Sequence, residues 1–208
     1  VSGALRGPGG AAQAPPDWLS ATRLPLDTIP AGATLVRIHR RTHEPVFYSP
    51  GPGTRPVGRF DSAARTFGVL YLATSFEGAF AETILRNPAR RLVSLGEISG
   101  RSVAVLGASR AVRLVRLHGP GLQALGLDNS ISTGPYDACG LWADALFDHA
   151  DRPDGIAYAS RHDPEQICVA LFERADLSLT PASESEPLRD IMSDVAAALR
   201  RYGKGLEL

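Results

Sequence analysis

The chain has 208 residues, 44% hydrophobic and 21% charged, the profile of a globular domain large enough to bury a core. Twenty-two basic residues balance twenty-two acidic ones, so no overall field draws in nucleic acid or an anionic membrane. No apolar run approaches a membrane span and no signal-peptide pattern is visible, and Cys139 and Cys168 lack metal-ligand spacing, so a cytoplasmic protein with two buried free thiols is expected.

Residues 1–16 are rich in Gly, Ala and Pro (Gly7-Pro-Gly-Gly10, Ala14-Pro-Pro16) and predict a flexible leader, leaving 17–208 as one domain. Asp17 to Ser20 predicts a short docking turn, and Leu24 to Pro30 a connection. Thr34–Arg40 is the first clear strand. Alternation places Leu35, Arg37 and His39 on one face and Val36, Ile38 and Arg40 on the other. Arg37 therefore lies between an apolar residue and an imidazole. Its planar fork suits a phosphate or carboxylate, although a solvated face or a structural ion pair gives the same pattern. His39 and His43 have metal-like spacing only on a helix, and Arg40-Arg41-Thr42 makes a poor one, so no metal is expected.

Phe47 to Asp61 reads as loop, with Ser49-Pro-Gly-Pro-Gly53 and Gly58-Arg-Phe-Asp-Ser62. Arg59, beside Gly58, offers a guanidinium and backbone N–H groups to a phosphate. A plain turn has the same composition, and no Walker or dinucleotide fingerprint is present.

Gly68 to Arg86 reads as a buried strand running straight into a helix. Val69, Leu70, Tyr71 and Leu72 form an apolar run of strand length. Thr74-Ser-Phe-Glu77 fits a capping box, Phe76, Ala79, Phe80, Thr83 and Ile84 share one helical stripe, and Asn87-Pro88 ends the helix. Glu82 borders that stripe among small neighbours (Gly78, Ala79, Ala81), which leaves room beside its carboxylate. Tyr71 and Glu82 are thus placed to line a pocket, although a partly solvated helix carboxylate fits the spacing too.

Further strands are predicted at 91–95, 102–106 and 112–117, and a short helix over 119–127. The turn-rich segment Asp128–Pro135 follows, then a helix over 136–149 burying Cys139, Trp142, Ala143, Leu146 and Phe147. Gly155–Ser160 and Ile167–Phe172 predict a β-hairpin, and Glu186–Arg200 a final helix with Gly203 beyond its end. Strands separated irregularly by helices argue for an α+β fold rather than a doubly wound sheet. Ser160, His162 and Asp163 do not make a hydrolase triad, because side chains so close in sequence point apart and no Gly-x-Ser-x-Gly elbow exists. Ser160, at a strand end, is placed to donate one hydrogen bond into a pocket.

Taken together and in this order, Arg37, Gly58-Arg59-Phe60, Tyr71, Glu82 and Ser160 resemble the RES family, named for its Arg, Glu and Ser. The stretches Gly155–Pro164 and Cys168–Arg174 resemble that family's Ser-bearing segment, and the similarity spans residues 34 to 174. The family's usual Gly-Arg-Trp reads Gly58-Arg59-Phe60 here, and Ile38 follows Arg37 where some members carry Tyr.

The resemblance implies a single α+β domain similar to ADP-ribosyltransferase toxins, with a mixed β core clasping NAD+ in a cleft. It implies a bacterial toxin that cleaves the nicotinamide N-glycosidic bond of NAD+ by phosphorolysis or hydrolysis. Glu82, Arg37, Tyr71 and Ser160 would be the catalytic set, and Arg37, His39, Arg59, Tyr71 and Ser160 would contact NAD+. NAD+ is the substrate, with phosphate or water as acceptor and no further cofactor or metal. The implied partner is a cognate antitoxin with an Xre-like DNA-binding region that occludes the cleft; direct nucleic-acid or membrane binding by this chain is not implied. A mono-ADP-ribosyltransferase that modifies a protein would use the same residues and is the alternative.

Overall fold

Two segments, Val69-Leu-Tyr-Leu-Ala73 and Ile167-Cys-Val-Ala-Leu-Phe172, are apolar almost without interruption, as strands buried on both faces must be. They pair antiparallel at the centre of a nine-stranded mixed sheet. The computed structural model describes residues 12–207. In chain order the strands are β1 (Leu26–Ile29), β2 (Thr34–Arg40), β3 (Val69–Ala73), β4 (Leu92–Ser94), β5 (Arg101–Ala108), β6 (Val112–Leu117), β7 (Gly155–Ala159), β8 (Ile167–Phe172), β9 (Leu179–Pro181), β10 (Glu186–Pro187) and β11 (Gly205–Glu207). The helices are α1 (Phe76–Thr83), α2 (Leu95–Ser99), α3 (Pro120–Ala124), α4 (Ser130–Thr133), α5 (Asp137–Phe147) and α6 (Met192–Arg201), with 3-10 turns at Asp17–Ala21 and Leu188–Asp190.

The main sheet runs β1-β6-β7-β8-β3-β2-β5-β10, with β9 also on β5; β4 and β11 form a separate parallel pair. Within the main sheet only β6 and β7 are parallel. The fold is α+β, as the irregular alternation of elements predicts. One face buries Phe60, Phe80, Ile98, Trp142 and Leu146, and the other buries Leu35, Leu70, Leu106, Val169 and Leu171. No helix among the described residues is long and apolar enough to cross a membrane.

One departure from regular pairing positions the site. β2 matches β5 through seven residue pairs and β3 matches β8 through five, whereas β2 and β3 share a single pair, Val36↔Ala73. Beyond it the strands diverge. Ser49 forms an isolated bridge to Val69, so the 47–49 segment sits beside the freed end of β3.

Several local readings shift. The helix cap is Ser75, whose Oγ accepts from Gly78 N–H at 3.0 Å, rather than Thr74, whose hydroxyl donates to the Ile167 carbonyl. α1 ends at Thr83, short of the Asn87-Pro88 stop. The final helix begins at Met192, because Glu186 and Pro187 pair with Val103 and Ser102 and Ile191 leaves helical backbone angles. Gly203 does follow its end, at φ +61, where the left-handed turn suits glycine. The expected connection at 24–30 contains edge strand β1, paired with β6. Of the expected leader, residues 1–11 lie outside the described residues, while the Gln13 carbonyl accepts from Trp142 Nε1 at 2.7 Å.

Phe80 is fully buried on α1, two residues before Glu82, and fixes that helix against the sheet. Phe80→Ala is expected to cost about 3–5 kcal/mol in urea unfolding at equilibrium, the usual range for emptying an aromatic site. A loss below ~1 kcal/mol would mean that Phe80 does not anchor α1.

Candidate functional site

Where β2 and β3 part, a cavity of about 470 Å³ opens. Val36, Arg37, Ile38 and Arg40 line one side, and Val69, Tyr71 and Leu72 the other. Glu82 enters from α1, and further walls come from the 57–61 loop, Tyr136, Tyr158 and the Arg161-His162 turn.

Glu82 is held by one short bond. Ser160 Oγ donates to its Oε1 at 2.6 Å, while the same oxygen accepts from the backbone N–H groups of His162 (3.1 Å) and Asp163 (3.3 Å). Two backbone donors on Oγ turn its proton towards the carboxylate. Ser160 is 1% exposed and does not line the cavity, so it orients Glu82 instead of reaching a ligand itself. Burial holds the His162 imidazole below its ordinary pKa although Glu82 pulls it upward, which leaves it neutral at neutral pH.

Tyr71 is fixed by the loop it supports. Its hydroxyl donates to Asp61 Oδ1 at 2.9 Å and accepts from Phe60 N–H at 2.8 Å. Asp61 Oδ2 accepts from the N–H groups of Val57 and Gly58, closing the turn. Burial and the adjoining Asp61 carboxylate push the Tyr71 phenol well above its ordinary pKa, so it stays protonated. Gly58 has a specific reason to be glycine: a Cβ there would sit 2.6 Å from Tyr71 ring carbons.

That turn aims Arg59 inward. Its guanidinium lies 4.4 Å from the centre of the Tyr136 ring, and Nη1 donates to the carbonyls of Gly134 (2.8 Å) and Ile131 (3.3 Å). Nη2 is buried and has no hydrogen-bond partner among the described residues. Arg37 donates Nη1 to the Pro45 carbonyl at 2.6 Å, and burial pushes its pKa down to about 10, still cationic at neutral pH. Its side chain starts on the Leu35 face of β2 but borders the cavity through the opening between the strands.

His39 is elsewhere. Its ring contacts Ser185 Oγ at 3.1 Å and the Arg40 carbonyl at 3.0 Å, and it does not line the cavity. Glu82, Tyr71, Arg37 and Arg59 therefore converge, Ser160 stands one bond behind them, and His39 stays apart.

The lining is strongly cationic in a chain of zero net charge. Six arginines (37, 40, 59, 86, 101 and 161) face two carboxylates, Asp61 and Glu82. Among the described residues none of the six has a carboxylate within ion-pair distance, although seven arginine–carboxylate pairs form elsewhere. Asp61 already accepts three bonds, so Glu82 Oε2 is the carboxylate oxygen without a hydrogen-bond donor there. A single poised carboxylate facing unpaired guanidiniums suits a bound anion whose reacting centre develops positive charge. No group of three or more His, Cys, Asp or Glu is placed to hold a metal among the described residues.

Sequence reasoning did not single out Asp61, Tyr136, Tyr158, Arg86 and Arg101. Asp61 carried a local signal, as a turn Asp three residues after Gly58. The others reach the cavity only through sheet register and loop packing.

The RES domain matches residues 34–190. Among solved structures, the fold is similar to a chain in the crystal structure of the M. tuberculosis MbcT–MbcA toxin–antitoxin complex, with TM-score 0.58 and 16% identity over 80% of this chain and 90% of that one. A search of curated proteins found no match. The family match spans three-quarters of the sequence and contains every cavity residue named above, and the chain belongs to the RES domain family.

Proposed function

We propose that this protein is the toxin of a bacterial toxin–antitoxin pair and that it cleaves the nicotinamide N-glycosidic bond of NAD+. The observation that carries this reading is the Glu82 carboxylate, oriented by Ser160 and facing a wall of arginines without ionic partners. NAD+ supplies both complements: a pyrophosphate for the guanidiniums, and a ribose C1′ that becomes oxocarbenium-like as the bond breaks. Nicotinamide leaves as a neutral base, taking the C1′–N electron pair, so no general acid is required. One carboxylate then suffices, which matches a site where Asp61 is occupied in holding a turn.

In this reading Arg37 and Arg59, both on the cavity wall, grip the pyrophosphate. The Tyr71 ring flanks the nicotinamide while its hydroxyl keeps the Gly58–Asp61 turn in place. Ser160 acts through Glu82, holding one oxygen so that the other faces C1′. Water or phosphate then attacks C1′, giving ADP-ribose or its 1″-phosphate. The folds of ADP-ribosyltransferase toxins work by the same chemistry, with a protein side chain as acceptor. Family membership and the likeness to a chain of a toxin–antitoxin complex support a cognate antitoxin, Xre-like by family analogy, whose tail covers the cavity.

Product analysis of NAD+ incubated with pure protein, with and without phosphate, tests the reaction; label on a single protein band in cell extract would instead establish the transferase. Glu82→Gln keeps the shape and the Ser160 contact and is expected to lower NAD+ turnover ~10²-fold or more. Turnover at the unmodified rate would end the assignment. Ser160→Ala frees the carboxylate to turn and is expected to lower kcat about tenfold with little change in KM, on the order of one lost charge-assisted bond. A pure KM effect would mean that Ser160 binds substrate. Arg37→Lys keeps charge but loses the fork, and should weaken NAD+ more than nicotinamide mononucleotide. Equal losses for both would place Arg37 away from the pyrophosphate.

A further inference from the structure

Four of the cavity's six arginines, Arg40, Arg86, Arg101 and Arg161, are not accounted for by one pyrophosphate, and three of them, Arg40, Arg86 and Arg101, group together. Arg40 on β2 and Arg101 on β5 are directly opposed in the sheet register, at the end of the strand pair. Directly opposed residues of antiparallel strands point to the same side, and like charges there repel. That side carries Ile38 and Val103, whereas Arg37 starts from the other, beside Leu35, and Arg59 lies across the cavity against Tyr136. Arg86, three residues beyond α1, completes the group. Burial holds the Arg101 guanidinium below its ordinary pKa, and both Arg40 and Arg86 add to that push. Glu97 pulls the other way, but its carboxylate is engaged by Arg90 at 2.6 Å. Three guanidiniums are thus gathered at the rim of a cavity, two of them by strand register, with no carboxylate in ion-pair reach among the described residues.

Resting on the NAD+ reading above, we infer that Arg40, Arg86 and Arg101 form a second anion subsite, separate from Arg37 and Arg59, that takes a dianionic phosphoryl group. Two sources have that chemistry. One is free inorganic phosphate, one of whose oxygens bonds to C1′ as the C1′–N pair leaves with nicotinamide, with no oxidant or other reactant needed. The other is the 2′-phosphate of NADP+, which would make the subsite a determinant of dinucleotide choice.

The test uses the purified full chain and inorganic phosphate as probe. Millimolar phosphate is expected to raise the melting temperature of the unmodified protein, and of Arg37→Gln, but not of Arg40→Gln/Arg101→Gln. Without phosphate the double variant should melt at or above the unmodified protein, since a like-charge pair has been removed; this separates a ligand site from a structural role. An equal phosphate shift in the double variant would overturn the subsite. Kinetics then separate the sources. A KM for phosphate raised tenfold or more in NAD+ consumption identifies free phosphate, a selective loss of NADP+ against NAD+ identifies the 2′-phosphate, and unchanged values for both overturn the proposal. If phosphate binds as described yet no dinucleotide is consumed, the NAD+ reading fails while the anion site stands.

Discussion

The site depends on β2 and β3 parting after one residue pair. Val36 meets Ala73, and from there each strand is held by its outer neighbour, β2 by β5 and β3 by β8. Each thereby keeps one edge paired while the inner edge opens onto the cavity. In a continuous sheet, ladder bonds would close the gap and Arg37, rising from the far face, would have no route to the ligand side. The opening is stable because Ser49 bridges to Val69 and the 57–61 turn is tied to Tyr71.

Charge is treated in the opposite way to the backbone. Away from the cavity, several cations are matched: Arg110 makes paired bonds with Asp154, and Arg116 meets Asp27. Within the cavity the arginines have no ionic partner among the described residues, and Arg59, 7% exposed, has a guanidinium nitrogen with no acceptor among them. Buried or opposed guanidiniums destabilise a fold unless something else compensates them. Such local conflict, set in an otherwise well-paired domain, is the expected sign of a surface shaped for a ligand.

The sequence revealed what depends on local pattern. The strand of Arg37, the strand and helix of Tyr71 and Glu82, and the hairpin ahead of Ser160 follow from periodicity and caps, and the family resemblance named Arg59 in its loop. What depends on long-range pairing was hidden. Alternation put His39 on the face of Arg37, which is correct, but only the opening between β2 and β3 brings Arg37 to the cavity and leaves His39 with Ser185. Ser160 was expected to reach a ligand, whereas strand β7 ends so that its hydroxyl meets Glu82, 78 residues away in sequence. Arg40 and Arg101 are unremarkable residues until register sets them face to face. The boundary of the last helix moved because Glu186-Pro187 pairs with a strand, a tertiary preference that overrides local helical pattern.

The strand order also bears on when the cavity can first assemble during synthesis. β3 lies against β8, whose last residue is Phe172, and the Glu82 carboxylate is oriented by a serine at position 160. A nascent chain that has produced Arg37, Tyr71 and Glu82 therefore still lacks the strand that braces Tyr71 and the hydroxyl that turns Glu82. Pairings this distant in sequence form late, after the cost of closing long loops has been met. A truncated or stalled product would hold the chemical groups without their arrangement, so the order of translation itself delays assembly of the cavity until β8 has been made.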